Sequence, residues 1–265
     1  TIGTYPWMKP KPGSIGKPDE YYNEDLLYKM FGINAELLID HAWGWEPCTM
    51  QDIKAYKPTT NSLSSGQVLQ SPYTFEKAKL VVREMTDLLS LDLVDKNLVT
   101  DQVVLTIGYD IENLSDIKKN RLYKGEVTTD HYGRKVPKHA HGTVNLGRQT
   151  SSTMLITEAM MDLYDRIVDK NLLVRRITVV ANHIVDENSL EEAENYEQMD
   201  LFTDYEEKKK KQAEETAALE REKNIQKAAL SIKKRFGKNA ILKGMNLEKG
   251  ATAKDRNNQI GGHKA

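Results

Sequence analysis

Apolar residues recur along the middle of this chain at two periods, and the periods alternate. Leu63 to Leu69 form a short strand candidate. Phe75, Ala78, Val82, Met85 and Leu89 then recur at three-and-four spacing, which predicts an amphipathic helix. Val103, Leu105, Ile107 and Tyr109 alternate, as on a half-buried strand, and so do Val144 and Leu146 within Gly142 to Leu146. Ile156, Met160, Leu163 and Ile167 return to the helical period, and Ile177, Val179 and Ala181 close with a last strand. The order strand–helix–strand–strand–helix–strand predicts an α+β layer, a four-stranded sheet with two helices on one face.

The flanks carry weaker signals. Residues 1–18 are rich in Gly and Pro and read as a loop. Glu24 to Trp43 is a short helical region broken at Gly32 and stopped by Gly44 and Pro47, too small to fold alone. Residues 48–61 read as a linker. Asp186 to Glu207 carries ten acids and neither Lys nor Arg, a stretch that cannot bury enough apolar surface to order itself. Lys208 to Phe236 predicts a long charged helix with a narrow apolar stripe at Ile225, Ala229, Ile232 and Phe236, ended by Gly237. Residues 239–265 are basic and Gly-rich, and no structure is assigned to them.

The formal net charge of −1 over 265 residues does not announce a nucleic-acid partner, so any such binding must come from local patches. A single cysteine, Cys48, excludes a disulfide framework and suits a reducing cytosol; it reads as a half-buried loop thiol without a His partner. No apolar run approaches a membrane span and no signal peptide is visible, so a cytoplasmic chain is expected. The first residue is Thr1 rather than Met, as in a fragment or a processed product.

Turned away from the helices, the sheet would display Ser64, Thr106, Thr143, Asn145, Arg176 and Thr178, with Ser65 and Gln67 beside them. Residues 131–157 hold Arg134, Lys135, Lys138, Arg148 and three histidines but no acid. Hydroxyls, amides and cations on a flat surface suit phosphate contacts, which position a protein on DNA without reading sequence; the alternative is an ordinary solvated sheet face. Lys54 and Lys57 in the linker, and Arg175 beside Arg176, join this set. His139 and His141 share a strand face, with His131 near in sequence. No Cys pair or carboxylate accompanies them, so solvated or DNA-facing histidines are favoured over a metal site. Phosphate-binding Gly loops are absent, and Thr150 to Thr153 read as the cap of the second helix.

Within the acidic stretch, Gln198-Met199-Asp200-Leu201-Phe202 resembles the peptide by which bacterial DNA polymerases and repair proteins dock on the replication sliding clamp. Leu201 and Phe202 would fill an apolar pocket while Gln198 hydrogen-bonds at its rim; the alternative is that Met199, Leu201 and Phe202 dock on the protein's own core.

Longer segments carry a second resemblance. Phe31-Gly32-Ile33-Asn34-Ala35-Glu36-Leu37-Leu38-Ile39-Asp40-His41-Ala42-Trp43-Gly44 resembles the last thumb helices of Y-family lesion-bypass DNA polymerases. Ser62 to Gln67 with Tyr73 to Ala78, Leu105 to Asp110, Gly142 to Leu146 and Leu173 to Val179 are similar to successive parts of their little-finger domain. The tail, Asn239 to Gly244 and Gln259 to Ala265, looks like the ending of UmuC/ImpB/MucB/SamB-type members from Gram-positive bacteria. The resemblance implies a partial thumb over 1–47 (1–13 unmatched), a linker over 48–61 and a little-finger DNA-binding domain over 62–185. An acidic linker with the clamp peptide over 186–207 and a charged helix with basic tail over 208–265 complete it. It also implies a part in translesion synthesis, DNA repair and the SOS response, with primer–template DNA and the sliding clamp as partners. A recombination filament enters by family analogy only. The family's Mg2+ is held by palm carboxylates for phosphoryl transfer; that palm is missing here, so polymerase activity is not expected of this chain alone. The alternatives are a stand-alone interaction protein competing for the clamp or for damaged DNA, and an enzyme built on the histidine cluster.

Overall fold

The computed structural model of the chain describes residues 24–46, 48–56, 61–115, 123–130, 133–190, 205–260 and 263–264. The chain divides into two compact units, Thr1–Thr59 and Thr60–Ala265. In the first, α1 (Glu24–Phe31) and α2 (Asn34–Trp43) are separated at Gly32, where φ is 58°. Gly44 ends α2 in the left-handed region, and the Trp45 N–H reaches back 2.8 Å to the Asp40 carbonyl. The stretch read as a linker contains a third helix, α3 (Met50–Ala55). Its start is encoded locally: Asp52 N–H donates to Thr49 Oγ1, and the Asp52 carboxylate accepts from Thr49 N–H. The Thr49 hydroxyl first, and then that N–H, hold the Asp52 carboxyl below the usual aspartate range. Cys48, expected half-buried, is exposed.

The second unit is built on the sheet. Strands β1 (Ser62–Tyr73), β6 (Val174–Asn182), β2 (Leu98–Tyr109) and β5 (Ala140–Thr150) lie side by side in that order, each antiparallel to the next. A two-residue strand, β7 (Val185–Asp186), pairs with the start of β2. Helices α4 (Phe75–Asp95) and α6 (Thr153–Ile167) cover one face. This is the α+β order that the alternation of periods predicts. Between β2 and β5 the chain adds α5 (Glu112–Ser115) and a hairpin of β3 (Val127–Thr129) and β4 (Lys135–Pro137). Three-residue strands are too short to show a period, so this insertion was not legible.

The core lies between helices and sheet: Val82, Met85 and Leu89 of α4 and Ile156, Met160 and Leu163 of α6 meet Leu105, Ile107, Ile177 and Val179. Gly142 lets α6 pack closely on β5, since a Cβ there would stand 2.9 Å from Leu163 Cδ1 and force that side chain to shift. Buried Asn113 fastens β2 to β6, donating to the carbonyls of Asp110 and Leu173 and accepting from Leu173 N–H at 2.8–2.9 Å.

Beyond the sheet, α7 (Tyr205–Phe236) runs for 32 residues. The apolar stripe expected on it is largely solvated: Ile225, Ile232 and Phe236 are exposed. The tail, whose composition predicts no regular element, folds back onto α4 and forms a short helix, α8 (Ala253–Asn257). Glu84, 1 % exposed, accepts from Asn246 Nδ2 at 2.8 Å, Thr252 N–H at 2.8 Å and Ala253 N–H at 3.2 Å. Lys243 pairs with Asp87 at 2.5 Å.

Candidate nucleic-acid interface

Register fixes which side chains share the uncovered face of the sheet, because directly paired residues point the same way. One row across the strands is Ser62, Asn182, Gln102 and Asn145. The next is Ser64, Val180, Val104 and Thr143; a third is Gly66, Thr178, Thr106 and His141. Val68, Arg176 and Gly108 begin a fourth. No Asp or Glu occupies any of these positions. The first row is cross-linked: Asn182 Nδ2 donates 3.0 Å to Gln102 Oε1, and Gln102 Nε2 donates 2.9 Å to Asn145 Oδ1. Thr106 Oγ1 and His141 Nδ1 lie 2.9 Å apart. The result is a hydroxyl-and-amide surface held in place by its own hydrogen bonds.

Ser64, Thr106, Thr143, Asn145, Arg176 and Thr178 therefore stand together as expected from alternation. Ser65 and Gln67 do not. They pair with Val179 and Ile177 and share the helix-covered face, where Gln67 Oε1 accepts 3.2 Å from Arg256 Nη1 and 3.3 Å from Thr252 Oγ1. Adjacent residues of a strand face opposite ways, so nearness in sequence was misleading. Gln102, Asn182 and Ser62 were missed, although counting by twos from Thr106, Thr178 and Ser64 would have found them.

The cations are less available than their number suggested. Arg134 pairs with Asp130 at 2.7 Å and Lys138 with Glu126 at 2.7 Å, a hydrogen bond that raises the pKa of the Lys138 ammonium. Arg148 pairs with Glu215 of α7. Arg175 sits where the β6 register shifts; its Nη1 donates to the Gln70 carbonyl and its Nε is 3.7 Å from the buried Asp110 carboxylate. Arg176 and Lys135 have no ion-pair partner among the described residues, and Arg176 alone of the arginines lies in the open rows. Lys54 lies on α3 in the other unit. Lys57, His131 and the peptide Gln198-Met199-Asp200-Leu201-Phe202 fall outside the described residues.

The rings of His139 and His141 are 6.5 Å apart, and among the described residues no three His, Cys, Asp or Glu side chains converge as a metal site requires. At the start of α6 the expected cap is present, with Ser152 Oγ accepting 3.2 Å from Leu155 N–H. Among the described residues no helix is long and apolar enough to cross a membrane.

The model of the impB/mucB/samB family C-terminal domain matches residues 60–201. No curated protein matches the chain. Among solved structures, the chain is similar to the post-insertion binary complex of Dbh DNA polymerase, at 14% identity over 62% of this chain. It spans 39% of that structure's chain, and the TM-score of 0.30 is too low for the likeness to bear on the site.

Proposed function

Given that this chain belongs to the impB/mucB/samB family, whose C-terminal domain it carries over more than half its length, we propose that it is the DNA-holding, C-terminal part of a Y-family lesion-bypass DNA polymerase. One observation supports this reading above the others: an open face of four adjacent strands with no carboxylate, lined by Ser64, Thr143, Thr106, Thr178, Asn145 and Arg176. Hydroxyls, amides and one arginine can take phosphate oxygens of primer–template DNA without contacting a base edge. A backbone grip of that kind tolerates damage, because an altered base leaves its phosphates in place.

The grip and the chemistry are separate. Phosphoryl transfer and Mg2+ belong, by resemblance, to palm carboxylates, and the role proposed for this chain is to hold the template rather than to carry a chemical step. The second role in the proposal is tethering: Gln198, Leu201 and Phe202 would dock on a bacterial sliding clamp and keep the grip near its template.

Salt dependence tests the DNA reading. Duplex affinity should fall linearly in log–log form with salt and vary little with sequence. Replacing Arg176 and Lys135 with Ala should weaken binding and lower the slope by roughly two, one for each phosphate no longer neutralised. An unchanged slope would mean that DNA lies on another face.

A further inference from the structure

We propose that α7, a helix richer in Lys and Arg than in Glu, covers the β5–α6 corner of the domain through two of its glutamates, and that DNA phosphates compete with those two carboxylates for the same groups there. Glu215 and Glu222 are seven residues apart, two turns, and so share one face of α7. Glu215 pairs with the Arg148 guanidinium at the end of β5. Glu222 accepts 2.5 Å from the Ser152 hydroxyl and 2.9 Å from Met154 N–H, at the start of α6. A guanidinium, a hydroxyl and a backbone N–H are the donors that phosphate oxygens use. Here two carboxylates from one helix hold all three.

The attachment is of a kind that exchanges. Besides these pairings α7 is fixed by Lys223 to Glu187, Lys234 to Asp95, and Gln226 Nε2 to the Ser151 carbonyl at 3.1 Å and Thr153 Oγ1 at 2.7 Å. Its apolar residues Ile225 and Phe236 are 64% and 67% exposed, and Leu219, Ala229 and Leu230 are only half-buried, so the polar pairs act beside a narrow apolar contact. The Arg148–Glu215 and Lys234–Asp95 pairs are largely solvated, hence weak and screened by salt, while the Glu222 and Gln226 hydrogen bonds are the more buried part of the attachment. A DNA backbone offers the same donors a denser row of anions. Displacing α7 would release Arg148 to DNA.

The proposal rests on the DNA-holding reading, and one experiment separates the two. Affinity for a primer–template duplex is measured for the chain, for Glu215→Gln with Glu222→Gln, and for Glu214→Gln with Glu220→Gln. The last pair makes the same charge change at exposed positions of α7. The first double variant should bind about fivefold tighter or more, through freed charge-assisted donors, and the second should bind nearly as the parent does. If both variants bind alike, the cover is overturned while DNA holding stands. If neither the parent nor the variants bind duplex at low salt, DNA holding itself fails, and the cover with it. Amide exchange in α7 of the unmodified chain gives a readout independent of the variants' folding. Addition of DNA should accelerate it, and unchanged exchange in the presence of bound DNA overturns the cover.

Discussion

Tyr164 is fully buried, and its hydroxyl donates 2.8 Å to the Phe75 carbonyl, tying α6 to the first turn of α4. Burial, ahead of the neighbouring Tyr109, pushes its phenol far above the usual tyrosine value. A folded-state pKa raised in this way gives stability that is complete below the unfolded value of about 10 and lost as pH climbs above it. Tyr164→Phe should therefore cost about 1 kcal/mol at neutral pH, from removal of the hydrogen bond, and should make the alkaline decline shallower. Urea unfolding at neutral pH and above about pH 10 measures both; an equally steep decline in the two proteins would show that Tyr164 does not titrate on unfolding. Tyr109, also raised by burial, should leave part of the decline in place. At this scale alternation alone identified Thr106, Thr143, Asn145 and Thr178, because parity is a property of the local chain. It could not show that Arg148 and Arg175 face carboxylates at positions 215 and 110, distant in sequence.

Elements with an apolar period were legible before the fold: β2, β5, β6, α4 and α6 each bury a face that repeats in the sequence. The tail was not, for the opposite reason. Its docking is polar, centred on Glu84, a residue that the helical pattern alone marks as solvent-facing. Glu84 is buried by residues more than 150 positions later, through Asn246, Thr252 and Ala253. Its carboxylate meets the free N–H groups at the start of α8, where a negative charge is favoured. Glu84→Ala would leave those donors without an acceptor. A loss of about 2–3 kcal/mol is expected, on the scale of a hydrogen bond to a charged group plus the donors it strands. Urea unfolding reads the loss, and amide exchange across residues 243–257 should rise sharply. Protection there that matches the parent would mean that Lys243 to Asp87 and Arg256 to Gln67 suffice to hold the tail.

For the whole molecule, if the polar face holds DNA as proposed, the few unpaired cations among its described residues predict a modest grip, and a modest grip needs help to stay at a primer end. The proposed help is the peptide Gln198-Met199-Asp200-Leu201-Phe202, between the sheet domain and α7 in sequence. Joining two weak attachments through one chain turns the second into an intramolecular event and raises its effective concentration. The division of labour makes separable predictions. Leu201→Ala with Phe202→Ala should abolish binding to a bacterial sliding clamp, since truncating two apolar anchors removes most of what a short peptide contributes. The same variant should bind free duplex with unchanged affinity and salt slope. On primer–template loaded with a clamp it should dissociate at least about tenfold faster than the parent, by loss of the tether alone. Clamp affinity equal in the two proteins would overturn the tether and leave the sheet face as the domain's sole attachment to the template.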